Sequence, residues 1–269
     1  MYPDIQTLAL NIRKSAILMT HLGQSSHIGS ILSCTDIIAS LYGGVMNINP
    51  DKPELEDRDR FILSKGHAGA AVYAVLAELG FFDKSKLRDH YKNGSVFSGH
   101  LSHKGVPGVE LSTGSLGHGL GVACGRAYAA KIDNKKHKNF VLMSDGETDE
   151  GSVWEAAMFA GHFKLNNLIA LIDYNKIQSL GSVEKTMTLE PYEKKWESFN
   201  WKVKRVDGHD VNLLVKELNN LTNEDKPICF ICDTIKGKGV SFMENSVLWH
   251  YRSPNKKEYE DAIRELEDS

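Results

Sequence analysis

Several features are scarce or missing in this 269-residue sequence, and each absence narrows the reading. No apolar run is long enough to span a bilayer, so no membrane-crossing helix is expected. Charge of one sign is not in excess: 32 Lys and Arg stand against 35 Asp and Glu, a net charge of −3. That balance offers no electrostatic footprint for nucleic acid or an anionic membrane. The first residues lack a signal-peptide core, because Asp4 follows Met1-Tyr2-Pro3 and the polar Asn11, Arg13 and Lys14 interrupt what comes next. Cysteines number only four. Cys229-Phe230-Ile231-Cys232 has C-x-x-C spacing, but Pro227 to Cys232 reads as a buried strand, where residues three apart point to opposite faces. No shared metal or disulfide is expected there; buried thiols and a cytoplasmic location are. Repeats, low-complexity tracts and Pro/Gly/Ser-rich linkers are also missing, so residues 1–269 read as one domain.

What is present is an ordinary globular composition, 41% hydrophobic and 25% charged. Short apolar runs alternate with amphipathic stretches. The runs Arg60 to Leu63, Phe140 to Met143, Leu168 to Ile172, Trp201 to Val206 and Ile228 to Cys232 read as strands bounded by Gly, Asp, Asn or Pro. Helices are expected over Ala68 to Leu79, over Ser152 to Phe163 with Ser152 as N-cap, and over Asp210 to Leu221. Asp210 caps the last of these, and Leu213, Leu214 and Leu218 form its stripe. Lys256 to Glu267 reads as a surface or partner-facing helix, or equally as a solvated end. The alternation implies an α/β fold, a parallel sheet with helices on both faces.

The densest chemistry begins at a strand end with Ser144-Asp145-Gly146 and runs through one helix to the next strand end, Ile172-Asp173-Tyr174-Asn175-Lys176-Ile177. A parallel crossover of this length brings Asp145 and Asn175 to the carboxyl edge of the sheet, where open α/β folds bind ligands. A carboxylate and an amide oxygen suit Mg²⁺, which takes oxygen ligands at about 2.0–2.1 Å and completes its shell with waters and phosphates. The loop after Asn175 adds a candidate backbone carbonyl at Ile177, and Gly146 leaves room for a diphosphate. From the residues alone, a capping Asp and a turn Asn explain the same pattern equally well. The Gly-rich Ser112 to Gly121 segment suits close approach to a ligand and leads into a helix whose N-terminus favours phosphate; plain packing is the alternative.

Asp145-Gly146 followed by Asn175 resembles the diphosphate signature of thiamine-diphosphate enzymes, with Ser144 where that signature has a first glycine. Other elements follow in the order of the transketolase group. Ser26-His27-Ile28-Gly29 resembles its Gly-His-Pro-Gly turn, Ser64-Lys65-Gly66-His67-Ala68 its Ser-x-Gly-His-Ala element, and Gly99-His100 its third histidine site. Thr113-Gly114-Ser115-Leu116-Gly117 resembles its T-G-S/P-L-G element, the acidic loop Glu147 to Gly151 its own acidic loop, and Thr234 to Gly239 with His250 its late loop. Departures cluster around the substrate channel: Ile28 replaces Pro, Leu101-Ser102 replaces Pro-Glu, and Tyr251 replaces Gly.

The resemblance implies the thiamine-diphosphate-binding fold, with thiamine diphosphate and Mg²⁺ as cofactors and Ca²⁺ or Mn²⁺ as substitutes. It assigns His27, His100 and His250 to the substrate channel. His67, Gly114, Ser115, Leu116, Asp145, Gly146, Glu150, Asn175, Ile177 and His250 become cofactor contacts, and Asp145, Asn175 and Ile177 metal ligands. Glu150 is read equally well as an acid at a helix N-terminus. The family's pyrimidine-binding module has no counterpart here, so it is expected on a partner chain, two copies of each forming the working unit. The expected activity is transfer of a two-carbon ketol unit between sugars or sugar phosphates. Alternatives are a related carboligase such as a deoxyxylulose phosphate synthase-like enzyme, or a non-catalytic regulatory subunit.

Overall fold

The structure, a computed structural model, describes residues 4–221 and 225–268. Met1 to Pro3, part of the amino-terminal reading above, lie outside the described residues. The five expected strands form within a residue or two of their predicted bounds: β1 (Arg60–Leu63), β2 (Asn139–Ser144), β3 (Leu168–Tyr174), β4 (Lys202–Asp207) and β5 (Ile228–Asp233). They make one sheet in the order β1-β2-β3-β5-β4, and every pairing is parallel.

Ten α-helices surround the sheet among the described residues. The first four are α1 (Ile5–Gly23), α2 (Ile28–Ser33), α3 (Thr35–Ser40) and α4 (Gly69–Glu78). Then come α5 (Gly119–Ile132), α6 (Gly151–His162), α7 (Val183–Thr186) and α8 (Tyr192–Ser198), and finally α9 (Val211–Asn219) and α10 (Lys256–Asp268). Period-two alternation divides the sheet's side chains between two cores. Phe140 and Leu142 of β2, with Ile169 and Leu171 of β3, pack against α1 to α4, α9 and α10. Val141 and Met143, with Leu168, Ala170 and Ile172, pack against α5, α6 and α8. Cys232 falls in the first core and Cys229 in the second, both as free thiols. β2 and β3, at or next to the centre, are buried throughout. Edge strand β4 is only partly buried and carries Lys202, Lys204 and Arg205, charges that protect an open edge.

Local differences from the expectations have local causes. Ser152 is not a cap: α6 starts at Gly151, and the Ser152 hydroxyl donates to the Gly117 carbonyl at 3.0 Å, tying the helix to the Gly-rich loop. The stretch from Ala68 opens as a 3₁₀ turn, Gly66–Ala68, and becomes α-helical only at Gly69. Asp210 does cap α9, accepting from the Leu213 amide at 2.9 Å, but the helix stops at Asn219. α10 is neither a free end nor a wholly exposed face. Its Ala262 and Leu266 are buried in the core, and Tyr259 stacks on His21 of α1 at 4.8 Å. Among the described residues no helix is long and apolar enough to cross a membrane.

Candidate functional site

β2 and β3 run in register to their carboxyl ends, with Ser144 opposite Asp173, so the loops that follow emerge side by side. Asp145 Oδ2 accepts from the Lys176 amide at 2.7 Å, and Oδ1 accepts from the Gly146 amide at 2.7 Å. The convergence expected from the crossover is therefore present. Asn175 Oδ1 accepts from the Ile177 amide at 3.1 Å, while its Nδ2 donates to Asp173 Oδ2 at 3.2 Å. These two bonds set which end of the amide is which, a choice that only the network can make. Burial, with the neighbouring Asp173 charge, pushes the Asp145 carboxyl up to about 6.

A cavity of about 240 Å³ opens over this edge. It is lined by His27, His67, His100 and His250, by Gly114 and Leu116, and by Asp145, Gly146, Asn175 and Ile177. The four histidines meet from four separate segments: the His27 ring lies 5.1 Å from that of His67, 5.6 Å from that of His100 and 5.1 Å from that of His250. Burial is the main cause that lowers His27 to about 4 and His250 to about 3, and His67 is lowered well below the usual imidazole value. These three are neutral imidazoles near pH 7. The His250 tautomer follows from its partner: the Lys236 ammonium, which has only donors, lies 3.0 Å from Nδ1, so Nδ1 accepts and Nε2 carries the proton.

Two expected members lie outside the cavity wall. Ser115 is exposed, 3.4 Å from His118 Nδ1. Glu150 is exposed at the start of α6, although its side chain packs against Gly117. At the entry to α5 the packing alternative is visible in two amides. The Gly117 amide already donates to Glu147 Oε1 at 2.8 Å and the Gly119 amide to Ser64 Oγ at 3.1 Å. A Cβ on Gly119 would sit 2.2 Å from Ser64 Oγ. These two glycines serve close packing within the chain, while Gly114 and Leu116 face the cavity.

The residues that hold the site together were not singled out from the sequence. Lys65 and Asp173, both wholly buried, form an ion pair beneath the cavity. Asp173 also accepts from Ser33 Oγ at 2.5 Å, from Thr234 Oγ and from Asn175. Glu147, also buried, accepts from Ser64 Oγ, Gly117 and Ser144. Lys236, 1% exposed, reaches Ser30 Oγ at 3.2 Å and the Ile177 carbonyl at 3.0 Å; burial, then the Lys65 charge, lowers it to about 8. A charged residue inside an otherwise apolar or Gly-rich motif was the available signal, but its partner is far away in sequence. Of the departures, Ile28 and Leu101 are buried in the core. Tyr251 is 64% exposed and lines the cavity, its ring 6.0 Å from that of His27.

Among the described residues no three His, Cys, Asp or Glu side chains are grouped to hold a metal ion. The candidate set Asp145, Asn175 and the Ile177 carbonyl is of another kind, all oxygen with a single carboxylate, which suits a hard divalent cation.

Residues 5–265 match the family described as "Transketolase, thiamine diphosphate binding domain". The chain is 41% identical over 268 residues to an apulose-4-phosphate transketolase subunit from Phocaeicola vulgatus, covering 98% of this chain and 95% of that one. It is 38% identical over 267 residues to the 6-deoxy-6-sulfo-D-fructose transketolase subunit SqwG of a Clostridium species, covering 98% and 96%. Among solved structures, the transketolase of Campylobacter jejuni superposes with a TM-score of 0.91 at 30% identity, covering 98% of this chain and 42% of that one. The chain thus spans about two fifths of that solved enzyme and nearly the whole of the two subunits.

Proposed function

This chain belongs to the transketolase family, as a thiamine-diphosphate-binding transketolase subunit of the transferase class, and on that premise we propose how it works. It holds thiamine diphosphate through Mg²⁺, with Ca²⁺ or Mn²⁺ as substitutes. A partner chain supplies the pyrimidine-binding module, two copies of each form the working unit, and the assembly moves a two-carbon ketol unit from a ketose or its phosphate to an aldose in the cytoplasm. The subunit names carried by relatives that match nearly end to end support the need for a partner.

The observation that carries the reading is the meeting of four histidines over Asp145, Asn175 and Ile177 in one cavity. The residues fit the cofactor. Asp145 is a buried carboxylate pushed up to about 6 by burial and the Asp173 charge, a penalty that a divalent ion would offset. Asn175 and the Ile177 carbonyl are the other ligands. His67, Gly114, Ser115, Leu116, Gly146, Glu150 and His250 are proposed cofactor contacts. The chemistry such a cofactor supplies is a carbon nucleophile and electron sink.

This chain's own residues bind, orient and handle protons. The Lys65–Asp173 pair holds Asn175 Nδ2 and so keeps Oδ1 available for a cation. His27, His100 and His250 face the sugar. Lys236 occupies His250 Nδ1 and so fixes the proton on Nε2, leaving that N–H to donate to a sugar hydroxyl; His27, whose Nδ1 meets Ser26 Oγ at 2.9 Å, presents Nε2.

The test is isothermal titration of thiamine diphosphate with Mg²⁺ into this chain alone and into its mixture with a candidate partner, each repeated with Asp145→Ala. Tight, magnesium-dependent binding confined to the mixture and lost in the variant is expected. A mixture that binds no cofactor would overturn the site assignment and favour a fold-retaining regulatory subunit.

A further inference from the structure

A second cavity, of about 520 Å³, opens between the start of α1, the start of α9 and the loop Thr234 to Gly239, and it shares no lining residue with the histidine cavity. Arg13, Asp36 and His209 line it, each from a different part of the chain. Arg13 grips Asp36 with both terminal nitrogens, at 2.9 and 2.5 Å, and its Nε donates to the Lys238 carbonyl at 3.2 Å. His209 Nε2 accepts from the Ile235 amide at 2.8 Å. An accepting Nε2 leaves the ring proton on Nδ1, which donates to Asp36 Oδ2 at 2.7 Å.

One carboxylate thus joins two side chains that seize the same loop at two points, the Ile235 amide and the Lys238 carbonyl. Between those points lies Lys236, whose ammonium reaches the Ile177 carbonyl and His250 Nδ1, each at 3.0 Å. The fit is close: a Cβ on Gly239 (φ +96°) would lie 3.3 Å from Arg13 Cδ.

We infer that Arg13, Asp36 and His209 are positioning residues that clamp the Thr234 to Gly239 loop and thereby deliver Lys236 to Ile177 and His250. Burial would favour neutral Asp36, but the His209 hydrogen bond and the Arg13 charge outweigh it and keep the carboxylate ionised, as a two-sided clamp requires. The clamp is a property of this chain by itself and stands whether or not the proposed cofactor binds.

Hydrogen exchange on the full chain, without cofactor, tests it. In His209→Gly the amides of the 235–240 segment exchange roughly ten- to hundredfold faster, the loss of a charge-anchored hydrogen bond, while β2 and β3 keep their rates. Lys236 becomes open to an amine-acylating reagent that does not reach it in the parent chain. Because the second cavity leads to the vacated ring position, added imidazole restores both protections. Unchanged exchange, or a rise that imidazole leaves in place, overturns the clamp. If His209→Gly loosens the whole sheet, His209→Gln decides: its amide oxygen accepts from Ile235, so local protection near that of the parent supports the clamp and its loss overturns it.

Discussion

Separating Lys65 from Asp173 probes the foundation of the site. Both side chains are 0% exposed, so removing one strands the other in a low-dielectric interior, at a cost of about 3–5 kcal/mol. The two halves are not equal. In Lys65→Met the Asp173 carboxylate keeps three donors, Ser33, Thr234 and Asn175, and each bond to a charged group is worth about 1.5–3 kcal/mol. In Asp173→Asn the Lys65 ammonium loses its counter-charge and keeps the Ser30 carbonyl at 3.0 Å. The expected order is therefore about 3 kcal/mol for Lys65→Met and about 5 kcal/mol for Asp173→Asn. The double substitution recovers about 3 kcal/mol of the summed loss, because no unpaired charge remains. Urea denaturation of the four proteins at pH 7 reads these values directly. Additive losses, or a Lys65→Met cost below about 1 kcal/mol, which is the range of exposed pairs, would refute the reasoning.

Two further outcomes are expected. Burial lowers His90 from 6.5 to about 4; at about 1.4 kcal/mol per pKa unit this is about 3 kcal/mol of stability, present above pH 6.5 and lost as pH falls toward 4. Stability curves of the parent and of His90→Gln, which keeps a partner for Ser25, should converge with acidity, and parallel curves would count against the assignment. Gly161→Ala near the end of α6 should destabilise by about 2 kcal/mol or more in spite of the better helix propensity of alanine. The added Cβ would lie 1.8 Å from the Phe199 carbonyl oxygen, and an unchanged melting temperature would contradict that contact.

Much of the site was legible before any coordinates. The Asp145 and Asn175 pair could be placed because a parallel crossover carries its own geometry, and the four histidines were found by the order of their motifs. The buried support given by Glu147 was not foreseen, because it sits in one acidic loop with Glu150 and only packing buries the first and leaves the second exposed. At the entry to α5 the sequence left ligand approach and plain packing both open, and the Gly117 and Gly119 amides turn out to meet Glu147 and Ser64, distant in sequence.

By itself the sequence determined the α/β class, the five strands, the opposite faces of Cys229 and Cys232, and the oxygen-rich edge after β2 and β3. Periodicity and turn chemistry act over a few residues, and short windows display them. Only the tertiary structure decided that Lys65 meets Asp173 from 108 positions away, that Ser33 reaches the same carboxylate across 140, and that Lys236 reaches Ser30 across 206. Those contacts are set by strand register and by the docking of α2 and the late loop onto the sheet edge. A buried charge has no periodic signature. What holds it in place is the partner that folding brings to it.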